Sequence, residues 1–142
     1  MRYTPQYFKV DEFKCPDCGE VKIAAGLVLL LDILRSVLGV PMHINSGYRC
    51  AKRNKAVGGA ERSRHMLGCA ADIAQPQGVT FGAFKLQTEK LFSRELYECK
   101  AYPARSFIHV AIPRSTVDYW LGGDIHVCDG TNGDFRSLGG DR

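Results

Sequence analysis

Residues 63–72 read Ser-Arg-His-Met-Leu-Gly-Cys-Ala-Ala-Asp, and they constrain the chain more than any other stretch. They set an imidazole, His65, and a carboxylate, Asp72, on either side of a turn of small residues, 68–71. The small apolar residues 70–74 read as a buried strand carrying Asp72 inward. A buried carboxylate without a partner is costly, so Asp72 is expected to be paired or metal-bound. Imidazole and carboxylate are both ligands that Zn²⁺ takes, and an open catalytic site wants three protein ligands plus a water. The third is expected at His109, in the apolar run Phe107-Ile108-His109-Val110-Ala111-Ile112.

Apolar spacing frames the rest of the chain. Over residues 23–38, Leu27, Leu30, Leu31, Leu34, Val37 and Leu38 recur at helical intervals with Gly39 as the stop, which predicts the main packing helix. Asp11-Glu12 is expected to begin a turn before the Cys-Pro-Asp-Cys-Gly loop. Residues 41–46 predict a strand that delivers Tyr48 and Arg49 to a loop, and residues 50–57 a short helix ended by Gly58-Gly59. A second helix is expected over 80–92, capped by Thr80 and packed through Phe81, Phe84, Leu91 and Phe92. Residues 96–102 and 107–112 predict a hairpin about Pro103-Ala104-Arg105. Residues 117–121 still carry core material, whereas the Gly-, Asp- and Ser-rich stretch 123–142 is expected to be a mobile tail. The class expected is α+β, a small antiparallel β-sheet flanked by helices, in one domain over residues 1–142.

Composition mainly excludes. Nineteen basic and fifteen acidic residues leave a net charge of +4, spread without runs of like charge. That gives no nucleic-acid footprint. The longest apolar block, 23–34, is broken by Gly26 and Asp32 and is too short to span a bilayer. The amino terminus lacks the apolar region of a signal peptide, so synthesis in the reducing cytoplasm is expected. There the six cysteines, 15, 18, 50, 69, 99 and 128, stay free or bind metal. Cys15 and Cys18 form a CxxC, but no second CxxC completes a zinc ribbon. Buried thiols or a late disulfide are therefore expected, with a four-sulfur site as the alternative.

Upstream of His65 stand Ser46-Gly47-Tyr48-Arg49, Asn54 and Gly58-Gly59-Ala60, then Ser63-x-His65 and, six residues on, Asp72. This ordered series resembles the zinc D-Ala-D-Ala carboxypeptidases and the related phage endolysins, which share a fold with the hedgehog signalling domain. The similarity runs over residues 8–112, with Asp11-Glu12-Phe13, the CxxC and the helix before Pro41 in its amino-terminal half. The resemblance implies His65, Asp72 and His109 as ligands of one zinc. It implies Ser46, Tyr48 and Arg49 at the substrate, with Arg49 also catalytic. It further implies a peptidoglycan stem peptide as substrate, cut at a D-Ala-D-Ala or L-Ala-D-Glu type bond. A monomer is expected, and the missing export signal suggests a phage or prophage lysis protein that acts on the cell wall.

Bound zinc lowers the pKa of a water toward about 7, and attack on an amide then creates an oxyanion that needs positive charge. Arg49 can supply it, and its guanidinium can grip a substrate carboxylate in bidentate fashion. Ser63 is expected to hydrogen-bond within the His65 loop. The general base is harder to place. Relatives resembling this chain carry an acid a few residues before the last histidine or two after it, where this sequence has Ala111. If the hairpin turns tightly at Pro103-Ala104, residues whose numbers sum to roughly 207 face each other, and Glu98 meets His109 on one face. Glu98 is thus the expected base, with Glu95, Glu61 and Asp118 as alternatives. His126, with Asp124 beside it, is the alternative to His109, and His43 is expected to be a packed or surface residue. Two competing readings stand. One is a non-catalytic, zinc-stabilised wall-binding or virion module that has lost its base. The other is a nucleic-acid binder at Cys15 and Cys18, for which clustered basic and aromatic residues are lacking.

Overall fold

Leu27, Val28, Leu31 and Leu34 fall on one face at helical spacing, and the chain obeys that spacing as helix α1, Ala25–Leu38, in a computed structural model that describes residues 2–114 and 118–126. All four side chains are fully buried, and burial of each contributes about 1.5–3 kcal/mol. Gly39 ends the helix at φ 71°, a left-handed conformation that costs glycine little. Two details depart from the periodic reading. Ile23–Ala24 is extended as strand β2 and pairs antiparallel with β7, Tyr119–Trp120. The Ala24 and Ala25 N–H groups donate to the carbonyls of Gly68 and Asp118, at 2.8 and 2.6 Å, and these tertiary partners replace a first helical turn. Val37 is exposed, because at 3.6 residues per turn it has rotated about 90° off the stripe set by Leu27, Leu31 and Leu34.

Asp32 interrupts the apolar block and is nevertheless buried. Its carboxylate accepts from the Gln6 N–H at 3.2 and 3.1 Å and from the Tyr7 N–H at 3.0 Å. Arg35 stacks over the Tyr7 and Phe8 rings beside it. The amino-terminal lead-in is thereby fastened to α1. Asp32→Ala would strand those N–H donors, and the expected cost is about 2–3 kcal/mol of stability. Urea unfolding of wild type and variant at equal metal load measures it, and matching midpoints would show the anchor to be dispensable.

The main sheet runs in the order β3-β4-β6-β5, with β3 at Ile44–Ser46, β4 at Ala70–Ala74, β5 at Glu98–Tyr102 and β6 at Phe107–Ala111. Every neighbouring pair is antiparallel. Helix α2, Ala51–Ala56, connects β3 to β4, and α3, Phe81–Leu91, leads from β4 to β5. Thr80 caps α3 by accepting from the Ala83 N–H at 3.1 Å, and Phe84 is fully buried where α3 meets α1. Alternation along the strands then sorts the side chains. Ile73, Ile108 and Val110 enter the core shared with α1 and α3. Asp72, Glu98, Lys100, Tyr102, Phe107 and His109 line a cleft instead.

The α+β class is as expected, with local corrections. The strand expected over 41–46 is three residues long, and the turn at Asp11-Glu12 is a 3-10 helix, Val10–Phe13. The hairpin register differs by two residues from the tight-turn expectation: Glu98 faces Ala111, and Lys100 faces His109. Pro103–Arg105 form a 3-10 turn and Ser106 closes it at φ 56°, so the connection is longer than a two-residue turn. A shift of two keeps each side chain on its face, whereas a shift of one would have turned Glu98 away. In the expected tail, β8, Ile125–His126, pairs with β1, Arg2–Tyr3. Residues 127–142, Cys128 among them, lie outside the described residues, as does Val117. Among the described residues no helix is long and apolar enough to cross a membrane.

Candidate active site

His65 sits in a 3-10 turn, Arg64–Leu67, whose start is capped by the Ser63 hydroxyl accepting from the His65 N–H at 3.1 Å. Gly68 closes the turn at φ 72°, and a Cβ there would lie 2.2 Å from the Lys22 carbonyl oxygen, so no other residue fits. The turn presses His65 into the protein at 1 % exposure, with its Nδ1–H donating to the Gly47 carbonyl at 2.7 Å. Asp72 and His109 are direct partners across β4 and β6. Asp72 Oδ1 lies 3.2 Å from His65 Nε2 and 2.9 Å from His109 Nδ1. The far side of His109, Nε2–H, donates to Glu98 Oε1 at 2.8 Å. Glu98 Oε2 is 3.4 Å from Arg64 Nε.

These partners fix the chemistry of the centre. The Gly47 carbonyl only accepts, so His65 Nδ1 carries the proton and a neutral ring turns its Nε2 lone pair inward. His109 stands between two carboxylates, and with its one proton on Nε2 against Glu98 it turns Nδ1 inward as a lone pair too. Two nitrogen lone pairs and a carboxylate oxygen then converge with no proton among them. Their ligand atoms lie within 4.8 Å of one another. A cation must sit between them, or an imidazole must take up a proton. Burial works against both charges, yet His109 and His65 hold the Asp72 carboxyl well below the usual carboxylate range, and Asp72 and Glu98 raise the pKa of His109. Two imidazoles and one carboxylate, each backed or faced by a fixed partner, are a donor set that fits Zn²⁺ with an open position.

The centre lies in an open cleft of about 930 Å³. Five cations line it, Arg49, Arg62, Arg64, Lys100 and Arg105, against two carboxylates, Asp72 and Glu98. Arg49 is tethered by its backbone N–H to the His65 carbonyl at 3.1 Å and by its guanidinium to Ser63 Oγ at 3.4 Å. Its Nε is buried with no hydrogen-bond partner. Arg49 lines the cleft wall, so its terminal guanidinium nitrogens are the donors available to a ligand there. Of the other two residues expected at the substrate, Ser46 is the ladder partner of Asp72 and lines an adjoining groove that shares Arg49 with the cleft. Tyr48 is held by its backbone N–H on the Phe13 carbonyl, its hydroxyl pKa raised by burial and by the cysteines and Glu20 near it.

Of the alternative bases, Glu61, Glu95 and Asp118 are not among the cleft-lining residues. His43 is exposed and borders another groove, and His126 belongs by its backbone to β8 in a different sheet. Several supports were not legible in advance: the Gly47 carbonyl behind His65, Arg64 beside Glu98, and the basic rim. Asn54 was singled out as a motif residue without a role. It is buried, its amide donates to the Ala60 carbonyl at 2.8 Å, and a Cβ at Gly59 would come within 2.1 Å of its Oδ1. The Gly-Gly-Ala turn and Asn54 therefore form one unit that shapes the cleft wall.

A family model described as peptidase M15 matches residues 6–111 of the chain. No curated protein matches it.

Proposed function

The chain belongs to the peptidase M15 family, zinc-dependent metallopeptidases with peptidoglycan as substrate, and from that premise we propose that it hydrolyses a bond in the peptidoglycan stem peptide. The bond is of the D-Ala-D-Ala carboxypeptidase or L-Ala-D-Glu endopeptidase type. The protein acts as a monomer, is made in the cytoplasm, and reaches the cell wall in phage or prophage lysis. One observation carries the reading: ligand atoms of His65, Asp72 and His109 lie within 4.8 Å of one another in a cleft with a basic rim. Zinc held there supplies a Lewis acid and lowers the pKa of a water toward about 7.

The chain's own residues do the rest. The Gly47 carbonyl and the Glu98 carboxylate hold the two imidazoles in the tautomers that ligation requires. Arg49 binds the substrate carboxylate or the developing oxyanion through its guanidinium at the cleft wall. The cationic rim draws in a stem peptide that carries free carboxylates. Among the described residues Glu98 is the cleft carboxylate that is not a ligand. It enters from β5 directly across from Ala111, the position where relatives resembling this chain carry an acid. We assign it the base role: it takes a proton from the attacking water and returns it to the leaving amine. Its oxygens are each engaged once, by His109 and by Arg64, and a carboxylate oxygen has a second acceptor position to spare.

That double engagement also favours a second reading, in which Glu98 only orients His109 and the protein is a zinc-stabilised wall-binding or virion module. Release of amino acids from purified peptidoglycan, with and without chelator, separates the two. Chelator-sensitive release supports the enzyme, and a zinc-loaded protein that releases nothing from any peptidoglycan supports the module. Within the enzyme reading, Arg49→Ala is expected to keep the zinc and lower kcat/KM by about 10²-fold. Unchanged kinetics would move Arg49 to a purely structural role.

A further inference from the structure

Cys50, one of the six cysteines, stands just before α2, and the fold brings it to the CxxC. Its Sγ lies 3.6 Å from that of Cys15, and the sulfurs of Cys15, Cys18 and Cys50 all lie within 4.8 Å of one another. The turn that presents the first two is tight. The Cys15 N–H donates to the Glu20 carbonyl at 2.8 Å, the Gly19 N–H donates to the Cys15 carbonyl at 2.9 Å, and Gly19 takes φ 74°. Two cysteines with two residues between them thus converge on one spot, and the third, Cys50, follows Tyr48 and Arg49 in the chain.

We propose that Cys15, Cys18 and Cys50 form a second metal site, a three-thiolate centre for Zn²⁺ with its fourth position open at the surface beside exposed Cys18. Three sulfurs, rather than two, argue against a disulfide as the resting state. A Cys15–Cys50 bond would leave the Cys18 thiol within reach to attack it, whereas zinc uses all three. On binding, the thiol protons pass to solvent and the three sulfurs become ligands.

The site has a purpose that follows from its neighbours. It clamps the loop after Phe13 to the segment carrying Gly47 and Arg49. Gly47 is already pressed so close to Phe13 that a Cβ would fall 2.7 Å from the Phe13 Cα, and the Tyr48 N–H donates to the Phe13 carbonyl at 2.8 Å. The Gly47 carbonyl is the group that holds His65. A metal at the cysteines therefore stiffens the backbone behind the first metal centre.

The two centres share no ligand, so they can be emptied separately. Metal analysis of the reduced full chain after zinc loading is expected to find two Zn²⁺ per wild-type molecule, one in Cys18→Ser, one in His65→Ala/Asp72→Ala, and none when these substitutions are combined. Cys18 is the position chosen because it is exposed, so its replacement leaves the core alone. With Co²⁺ as the probe, His65→Ala/Asp72→Ala is expected to show thiolate-to-cobalt charge-transfer absorption that Cys18→Ser lacks. The proposal is overturned if reduced His65→Ala/Asp72→Ala takes up no zinc and shows no such absorption. It is equally overturned if peptide mapping finds a Cys15–Cys50 disulfide under the same reducing conditions.

Discussion

Replacing His65 or Asp72 by alanine is expected to empty the histidine–aspartate centre and to cut turnover on peptidoglycan by about 10³-fold or more, with the fold retained. A bound zinc contributes several kcal/mol of charge stabilisation in the transition state, and each 1.4 kcal/mol or so is a factor of ten. Neither variant has a replacement ligand at hand, since the other cleft carboxylate, Glu98, is engaged behind His109. Full zinc occupancy of this centre in both variants would end the assignment. Acid should mimic the mutations. Zinc needs the inner nitrogen of His109 free of protons, and Asp72 and Glu98, outweighing burial, raise that group above its ordinary 6.5. Zinc is therefore held above the raised pKa, and proton competition sets in as pH falls through it, earlier than for an ordinary histidine. Asp72 does not compete, because its carboxyl stays ionised well below the usual range. A zinc affinity that stayed constant as pH fell through the ordinary histidine range would contradict this arrangement.

Glu98→Gln separates a base from a brace. The glutamine carbonyl can still accept from His109 Nε2–H, so the metal should stay, with any loss of affinity within about 10–100-fold. An amide cannot take up a proton at working pH, so turnover should fall by about 10² to 10⁴-fold, with the acidic limb of the pH profile lost. A brace alone gives the opposite pattern: Glu98→Gln keeps most of the turnover, and Glu98→Ala weakens zinc binding instead. Should the brace pattern appear, Ala111→Asp becomes the informative gain-of-function test, because residue 111 faces residue 98 across the ladder.

The local signals in this chain are strong where one side chain or one stripe decides the outcome. Leu27, Leu31 and Leu34 fix a helix by their spacing alone, Gly39 and Gly68 close turns that other residues cannot, and Thr80 caps α3. A carboxylate on a small-residue strand needs a partner, which singled out Asp72 with His65 nearby, whereas the choice of His109 over His126 rested on the family resemblance. Other features depend on distances between segments that no local pattern encodes. The hairpin register turned on whether Pro103–Arg105 would coil into a 3-10 turn, and Glu98 reached His109 only because the resulting shift was even.

Periodicity and residue type are properties of short stretches, and they sufficed for the main helices, the strands of the central sheet, the α+β class and the candidate ligating residues, though not for the short strands β1, β2, β7 and β8. Only the tertiary structure decided which of those residues meet. It paired Ser46 with Asp72 across β3 and β4, brought Arg49 to the cleft wall, and set Glu98 against the far nitrogen of His109. It also gathered Cys50 to a CxxC more than thirty positions earlier in the chain. The physical reason is that side-chain convergence across strands and loops is set by register, turn length and core packing, which act on all the segments together.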